Sequence, residues 1–292
     1  MRKLKIIVIL GQTATGKSAL AVKIAKKVNG EIISADSRQI YRGLNIGTGK
    51  ITRKEMQEIP HHLLDVASPN TKFTVVQYQN LAISAMADIV KRDKIPIICG
   101  GTGFYIDAVT KGIIFPKVSP NIKLRKKLLH KSATALFRRL EKLDPKRAKN
   151  IDKNNKVRLI RAIEIAKVLG KVPQITQALP VYKFIKIGLY LPPEKLKKKI
   201  EKRVKKMFQD GLLKEIKKLK KLGISDKRLK EFGFEYWKPT KEKVIAETLK
   251  YAKRQMTWFK RDKEIKWLDA SNLKQNFRTV ENFIAKQTII QV

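Results

Sequence analysis

The residues that most restrict what this chain can fold into are GQTATGKS, positions 11–18, which follow the apolar run at positions 6–10 without a break. Gly11, Gln12, Thr13, Ala14, Thr15, Gly16, Lys17 and Ser18 satisfy the pattern G-x-x-x-x-G-K-[ST], which works only between a strand and a helix. Its glycines let the backbone turn so that N–H groups face phosphate oxygens, Lys17 adds a cation, and Ser18 offers a hydroxyl to Mg²⁺. The apolar run supplies a buried strand and positions 19–28 read as the helix. A plain glycine-rich turn is the other use of such residues. The pattern predicts a grip on a di- or triphosphate, with ATP the general expectation. Kinases, ATPases, GTPases and some transferases share it, so the reaction stays open.

The following segments alternate in kind. Strand-like stretches at 31–34 and 96–99 and a helix over about 73–92 give the rhythm of βαβ units, hence an α/β chain with a parallel sheet flanked by helices, of the P-loop NTPase kind. Ligands are expected at the carboxyl ends of those strands. From 115 to 180 the pattern changes to short basic helices with no convincing strand, LRKKLLHKSATALFRRLEKLD and NKVRLIRAIEIAKVLG, which reads as a helical insertion domain. A strand at 184–191 and long basic helical regions at 194–222 and 241–260 restore the core. The expected division is therefore 1–114 with 181–292 as the core domain, and 115–180 as the insertion.

Sixty-six Lys and Arg against 25 Asp and Glu leave a formal net charge of +41 on 292 residues, a field that attracts polyanions. A nucleic-acid partner is the leading explanation, although the lysine runs at 195–199 and 217–221 are also what solvated helix faces look like. The single cysteine, Cys99, lies in the apolar run 95–99 and reads as a buried strand residue, neither ligand nor nucleophile. The basic, apolar start resembles a signal peptide, but its apolar run is too short and enters the phosphate loop, so a cytoplasmic, monomeric protein with no membrane contact is expected.

Two more polar clusters follow predicted strands. Asp36, Ser37, Arg38, Gln39 and Tyr41 come after the second, where Asp36 would sit beside the phosphate loop if consecutive strands are neighbours. Its carboxylate could hold Mg²⁺ or take a proton from an acceptor hydroxyl or amine, or merely cap a helix. Gly100, Gly101, Thr102 and Gly103 suggest a backbone passing close to a ligand, or a plain strand-to-helix turn. Adjacent His61 and His62 point to different sides and have no third partner, so structural hydrogen bonding is expected of them rather than a metal.

Taken in order, GQTATGKS, DSRQIY, GTGK at 47–50, PHHLLD at 60–65, GGTGFY at 100–105, RLIRAIE at 158–164 and YAKRQMTWFKRD at 251–262 resemble the motifs of tRNA dimethylallyltransferases across nearly the whole chain. The resemblance implies transfer of a dimethylallyl group from dimethylallyl diphosphate to N6 of the adenosine at tRNA position 37, beside the anticodon, giving N6-(dimethylallyl)adenosine and diphosphate. By that likeness Asp36 is the base, with Thr13, Lys17 and Thr102 also catalytic. The phosphate loop holds the leaving group, with Mg²⁺ on Ser18. Asp36, Ser37, Arg38, Gln39, Thr102, Arg125, Arg158, Arg161, Gly233 and Arg254 bind the tRNA by the same likeness: Ser37, Arg38 and Gln39 read the flipped target base and its neighbours, Arg158 and Arg161 hold the backbone of the anticodon stem-loop, and the helical insertion closes over the RNA as a clamp.

Two departures stand out. Asn154 and Asn155 replace the family's Asn-Asp, which removes a side-chain contact to a cation, and the family's glycine–aromatic–basic run appears here as Gly233, Phe234, Glu235. Lys230, Lys238 or Arg254 are the candidates to restore that lost cation. No C-terminal zinc finger follows the core, which points to a compact bacterial-type enzyme. The competing readings are a phosphate-loop kinase acting on a small metabolite or nucleotide, which has no use for such a basic surface, and an RNA-binding module with a relic loop.

Overall fold

The computed structural model describes residues 4–174, 176–178, 182–272, 275 and 277–282. Six strands form one parallel sheet: β1 (Lys5–Gly11), β2 (Gly30–Ala35), β3 (His61–His62), β4 (Ile95–Gly100), and, after β5 (Ile113–Ile114) and β6 (Thr176–Gln177), which pair with each other elsewhere, β7 (Lys183–Tyr190) and β8 (Lys266–Asp269). The order across the sheet is β3-β2-β4-β1-β7-β8.

Strand alternation sorts the core. Ile7 and Ile9 of β1 face one side of the sheet, packing with Leu20 and Ile24 of helix Lys17–Lys27, Ile200 and Val204 of helix Pro193–Gln209, and Val244 and Ala252 of helix Lys241–Phe259. Ile6, Val8 and Leu10 face the other, against Tyr78, Ala82, Met86 and Ile89 of helix Val75–Lys91 and Tyr105, Ile106 and Val109 of helix Gly103–Thr110. Helices on both faces explain why β1, β2 and β4 read as continuous apolar runs, since a parallel strand buried on both sides needs no polar alternation.

The order corrects one expectation. β2 is not the neighbour of β1; β4 lies between them, paired with β1 at Ile7–Ile97 and with β2 at Ile32–Ile97. The crossover through helix Val75–Lys91 returns the chain between the first two strands. Asp36 still reaches the phosphate loop's surroundings because β4 ends in glycines: a Cβ on Gly100 would stand 2.2 Å from the Ala35 carbonyl oxygen, so nothing larger fits between the loops.

The expected helical stretch 194–222 is two helices, Pro193–Gln209 and Leu212–Lys221, broken at Gly211, whose φ of 100° places it in the left-handed region. β3, β5, β6 and β8 are too short to leave a pattern of their own, and β6 lies inside the stretch read as purely helical.

The chain divides into two compact units, Met1–Gly112 with Leu179–Val292, and Ile113–Ala178. The boundary expected at 180–181 and the core expected over 283–292 fall outside the described residues. The second unit has its own core, in which Leu136 and Leu140 of helix Ala133–Leu143 meet Leu159 and Ile163 of helix Lys156–Leu169.

Candidate active site

A cleft of ≈ 700 Å³ opens where β1, β2 and β4 end. The phosphate loop forms one wall. Gly11 has φ of 128°, and a Cβ there would lie 2.1 Å from the Leu189 carbonyl oxygen, so only glycine lets the loop leave β1 against β7. Gly16, at φ 89°, turns the chain into helix Lys17–Lys27, whose first turn has neither a side-chain cap nor an acidic residue. Its unpaired amide N–H groups therefore suit an anion.

The loop's residues divide into holders and facers. Gln12 and Thr15 are buried: Thr15 Oγ1 donates to the Gln12 carbonyl at 2.8 Å, and Leu191 N donates to Gln12 Oε1 at 3.1 Å. They fix the loop, while Thr13, Ala14, Gly16, Lys17 and Ser18 line the cleft. Lys17 Nζ donates to the Gln12 carbonyl, and burial, aided by the Arg203 charge and opposed by Asp36, lowers its pKa to about 8. Cys99 lies behind Ser18, its thiol pushed up to about 11 by burial and therefore neutral.

Asp36 opens the second wall. Its Oδ1 accepts the amides of Arg38 at 2.9 Å and Gln39 at 3.3 Å, the short-range turn bonding typical of aspartate. The capping use is thus real, but it employs one oxygen; among the described residues Oδ2 accepts no hydrogen bond. Ser37 N donates to Thr102 Oγ1 at 3.0 Å, and Thr102 Oγ1 donates to Ser37 Oγ at 3.3 Å, which ties the turn after β2 to the turn after β4. Thr102 makes no side-chain cap bond to its own helix. Gln39 Nε2 reaches the carbonyls of Thr48 and Gly49 at 3.4 and 3.3 Å, and Arg38 Nη1 donates to the Glu231 carbonyl at 2.5 Å.

Arg203, Gln255 and Tyr251 line the cleft without a role foreseen from sequence, and Glu235, noted there only as an acid in place of a cation, lines it with them. Arg203 Nη1 donates to Thr13 Oγ1 at 3.2 Å and its Nη2 to the Thr48 carbonyl at 3.1 Å. It faces both Asp36 and Glu235, and burial lowers its pKa. Gln255 accepts Thr13 N at 2.8 Å through Oε1 and donates from Nε2 to the Gly101 carbonyl at 2.9 Å, locking the phosphate loop to the glycine turn. Tyr251, from the same helix, reaches the Gly101 carbonyl at 3.5 Å, and burial raises its hydroxyl's pKa. Glu235 completes the set, its pKa raised to about 7 by burial. Of the three cations offered in place of a basic residue at 235, Arg254 lines the cleft and Lys230 and Lys238 do not; Arg38 and Arg203 also bring guanidinium groups to it. The signal of Arg203 in sequence was slight, one arginine among the lysines of KIEKRVKK.

Away from the cleft, His62 Nε2 donates to buried Glu31 at 2.7 Å and His61 Nδ1 to the Ile59 carbonyl at 2.8 Å. Both of these ring nitrogens are thus engaged in hydrogen bonds, and no cluster of three or more His, Cys, Asp or Glu suited to a metal exists among the described residues.

In the second unit, Arg125 and Arg161 meet on Glu164, whose side chain is 1% exposed. Arg125 Nε and Nη2 donate to it at 2.7 and 2.6 Å, Arg161 Nη1 at 2.7 Å, and the Asn121 amide at 2.7 Å. Burial alone would raise the Glu164 pKa; the guanidinium bonds overcome it and hold the group at about 2. Arg158, one turn from Arg161 on helix Lys156–Leu169, is exposed, and Asn155 accepts its backbone N–H at 3.1 Å as the helix cap.

Residues 39–262 match the family described as IPP transferase. A tRNA dimethylallyltransferase of Halothermothrix orenii is 39% identical over 289 residues, covering 91% of this chain and 88% of that protein. The fold resembles the crystal structure of the full-length tRNA isopentenylpyrophosphate transferase of Bacillus halodurans (TM-score 0.69, 34% identity, 97% of this chain and 96% of that one). It also resembles a eukaryotic dimethylallyltransferase captured acting on tRNA (TM-score 0.84, 28% identity, 99% of this chain and 81% of that one).

Proposed function

The chain belongs to the IPP transferase family, and from that premise we propose that it transfers a dimethylallyl group from dimethylallyl diphosphate to N6 of the adenosine beside the anticodon of tRNA. The observation that carries this reading is one cleft in which the phosphate loop, Arg203 and the uncommitted oxygen of Asp36 converge. The relatives are transferases of this type, which favours prenyl transfer over phosphoryl transfer to a small metabolite.

The chemistry follows from the parts. The diphosphate lies against the amides of the loop, with the Lys17 ammonium and the Arg203 guanidinium beside it. As the allylic carbon–oxygen bond breaks, negative charge grows on the departing pyrophosphate, and these preorganised donors stabilise it. The adenine N6 lone pair, delocalised into the ring, forms the new nitrogen–carbon bond. Asp36 Oδ2 takes the proton that N6 must lose, within a turn whose amides hold Oδ1 still. N6 of a stacked base cannot reach a buried electrophile, so the adenosine is flipped out of the anticodon loop.

Magnesium fits the donor set. Ser18 offers a hydroxyl, and with no three-residue protein cluster among the described residues, diphosphate oxygens and waters would fill the remaining positions, as this cation prefers. Bound there, it would neutralise charge on the leaving group.

Incubation with dimethylallyl diphosphate, Mg²⁺ and unmodified tRNA is expected to yield N6-prenylated adenosine on nuclease digestion. No such product, with ATP consumed on a small acceptor instead, would overturn the assignment.

A further inference from the structure

Among the described residues three acids line the cleft: Asp36 is the base, Glu55 is spent on the capping box with Thr52 at the start of helix Arg53–Met56, and Glu235 has no task in the reaction above. It follows Gly233, whose φ of 123° carries the chain past the cleft, and a Cβ on Gly233 would stand 3.1 Å from Glu235 Oε2 and 3.8 Å from Arg38 Nη2. The glycine therefore clears the space that the Glu235 carboxyl fills. Among the described residues no ion pair anchors that carboxyl, which accepts its own backbone N–H, although cations are near. Burial above all, with the Asp36 charge, opposes its charged form, while its own N–H, Arg38 from the turn after β2 and Arg203 from helix Pro193–Gln209 favour it. The phenols of Tyr236, beside it in sequence, and Tyr251, from helix Lys241–Phe259, complete the ionisable surroundings.

We propose that Glu235 is a specificity-determining residue that meets the acceptor base as a neutral carboxylic acid, donating O–H to adenine N7 and accepting one N6 hydrogen through its carbonyl. The inference rests on the tRNA-prenylating reading given above. A protonated carboxyl is one donor beside one acceptor, the same face that a carboxamide presents, and carboxamides read adenine through N6 and N7 in this bidentate manner. Guanine offers two acceptors, O6 and N7, and is refused by the acceptor half. The contact uses one N6 hydrogen and leaves the other for Asp36, so two acids of one cleft take different tasks: Asp36 removes a proton, and Glu235 keeps one. Burial, which raises the Glu235 pKa to about 7, is what makes the neutral form available at ordinary pH.

The test uses the full chain with dimethylallyl diphosphate, Mg²⁺ and unmodified tRNA. The parent's kcat/KM for tRNA is expected to fall as pH rises through about 7, because Glu235 ionises there. Glu235→Gln, permanently neutral and of the same hydrogen-bonding face, should lose that limb and stay within about twofold of the parent's low-pH value. Glu235→Ala should lose about tenfold, carried by KM for tRNA rather than kcat. A Glu235→Gln profile that keeps the parent's limb, or an alanine variant as good as the glutamine one, overturns the inference. A second measurement needs no variant: calorimetry in two buffers at a pH about half a unit above 7 should show proton uptake when an anticodon stem-loop binds with adenosine at the target position, and none with guanosine there. Equal uptake for both bases also overturns it. A parent that makes no prenylated adenosine at any pH is the separate failure of the functional reading.

Discussion

Asp36 Oδ1 is engaged by two backbone amides, and those bonds fix the turn that presents Arg38 and Gln39 to the cleft. Removing the base therefore need not remove the turn. In Asp36→Asn the amide oxygen can still accept both N–H groups while the side chain can no longer take a proton. kcat should fall by about 10²-fold or more, with tRNA affinity within about twofold of the parent. Equal turnover by the asparagine variant would show the base to lie elsewhere. Lys17 makes a second prediction. Its ammonium is the form that meets the diphosphate, and burial lowers its pKa from the ordinary 10.5 to about 8. Donor affinity should therefore be complete below about 8 and weaken as pH rises above it, KM for dimethylallyl diphosphate rising by up to about tenfold per pH unit. The limb belongs to the donor, whereas the Glu235 limb belongs to tRNA, so varying one substrate at a time separates them. A donor KM flat to pH about 9.5 would mean that Lys17 is not the cation at the phosphates.

Helix Lys156–Leu169 shows what sequence could and could not say about an element. Its existence was legible from apolar spacing, and Arg158 and Arg161 are on neighbouring turns as expected. What the spacing could not reveal is that Glu164, in the same RLIRAIE run, is buried and captures Arg161 together with Arg125 from another helix. The reason is physical: a charged residue at an apolar position is legible as odd, but its partners are chosen by tertiary packing. The same holds in the core. The long strands β1, β2, β4 and β7 were readable from sequence, yet their order was not, because a crossover helix of ordinary length can return a strand to either side of its predecessor. The phosphate loop and Asp36 could be found because their chemistry is compressed into short motifs. Arg203 and Gln255 are far from those motifs in the chain and reach them only through helix packing. The Glu164 cluster also bears on stability. Its pKa stands below the ordinary 4.5, so its contribution is complete above that value and is lost as pH falls from there toward about 2. Glu164→Gln should destabilise the second unit by about 2–3 kcal/mol, less than a fully buried pair because both guanidinium groups are partly exposed. Urea unfolding or amide exchange along helix Lys156–Leu169 would register it, and an unchanged midpoint at neutral pH would show the cluster to be energetically idle.

At the scale of the whole molecule the dominant quantity is the net charge of +41. Ion pairs absorb part of the lysine and arginine complement, as at Glu31, where Arg92 and Lys94 converge, and at Lys186, which bridges Asp262 and Glu264. With only 25 acidic residues to 66 basic ones, most cations cannot be so paired. If they are mere solvated faces, RNA affinity should hardly respond to salt. If they meet the phosphates of a stem-loop, each contact releases a counterion on binding, and about six contacts give a slope of log K against log salt near −5. Affinity for unmodified tRNA should then fall by about 10³-fold between 50 and 200 mM salt, while KM for the small donor, held by a few groups inside the cleft, changes far less. Exposed Arg158 sharpens the comparison. Arg158→Ala should reduce the slope by about one and weaken all tRNA sequences alike, whereas Arg161→Ala, whose guanidinium is spent on Glu164 and the Val118 carbonyl, should lower the second unit's stability before it alters the slope. A slope near zero for the parent protein would assign the charge to solvation and leave RNA recognition to the cleft alone.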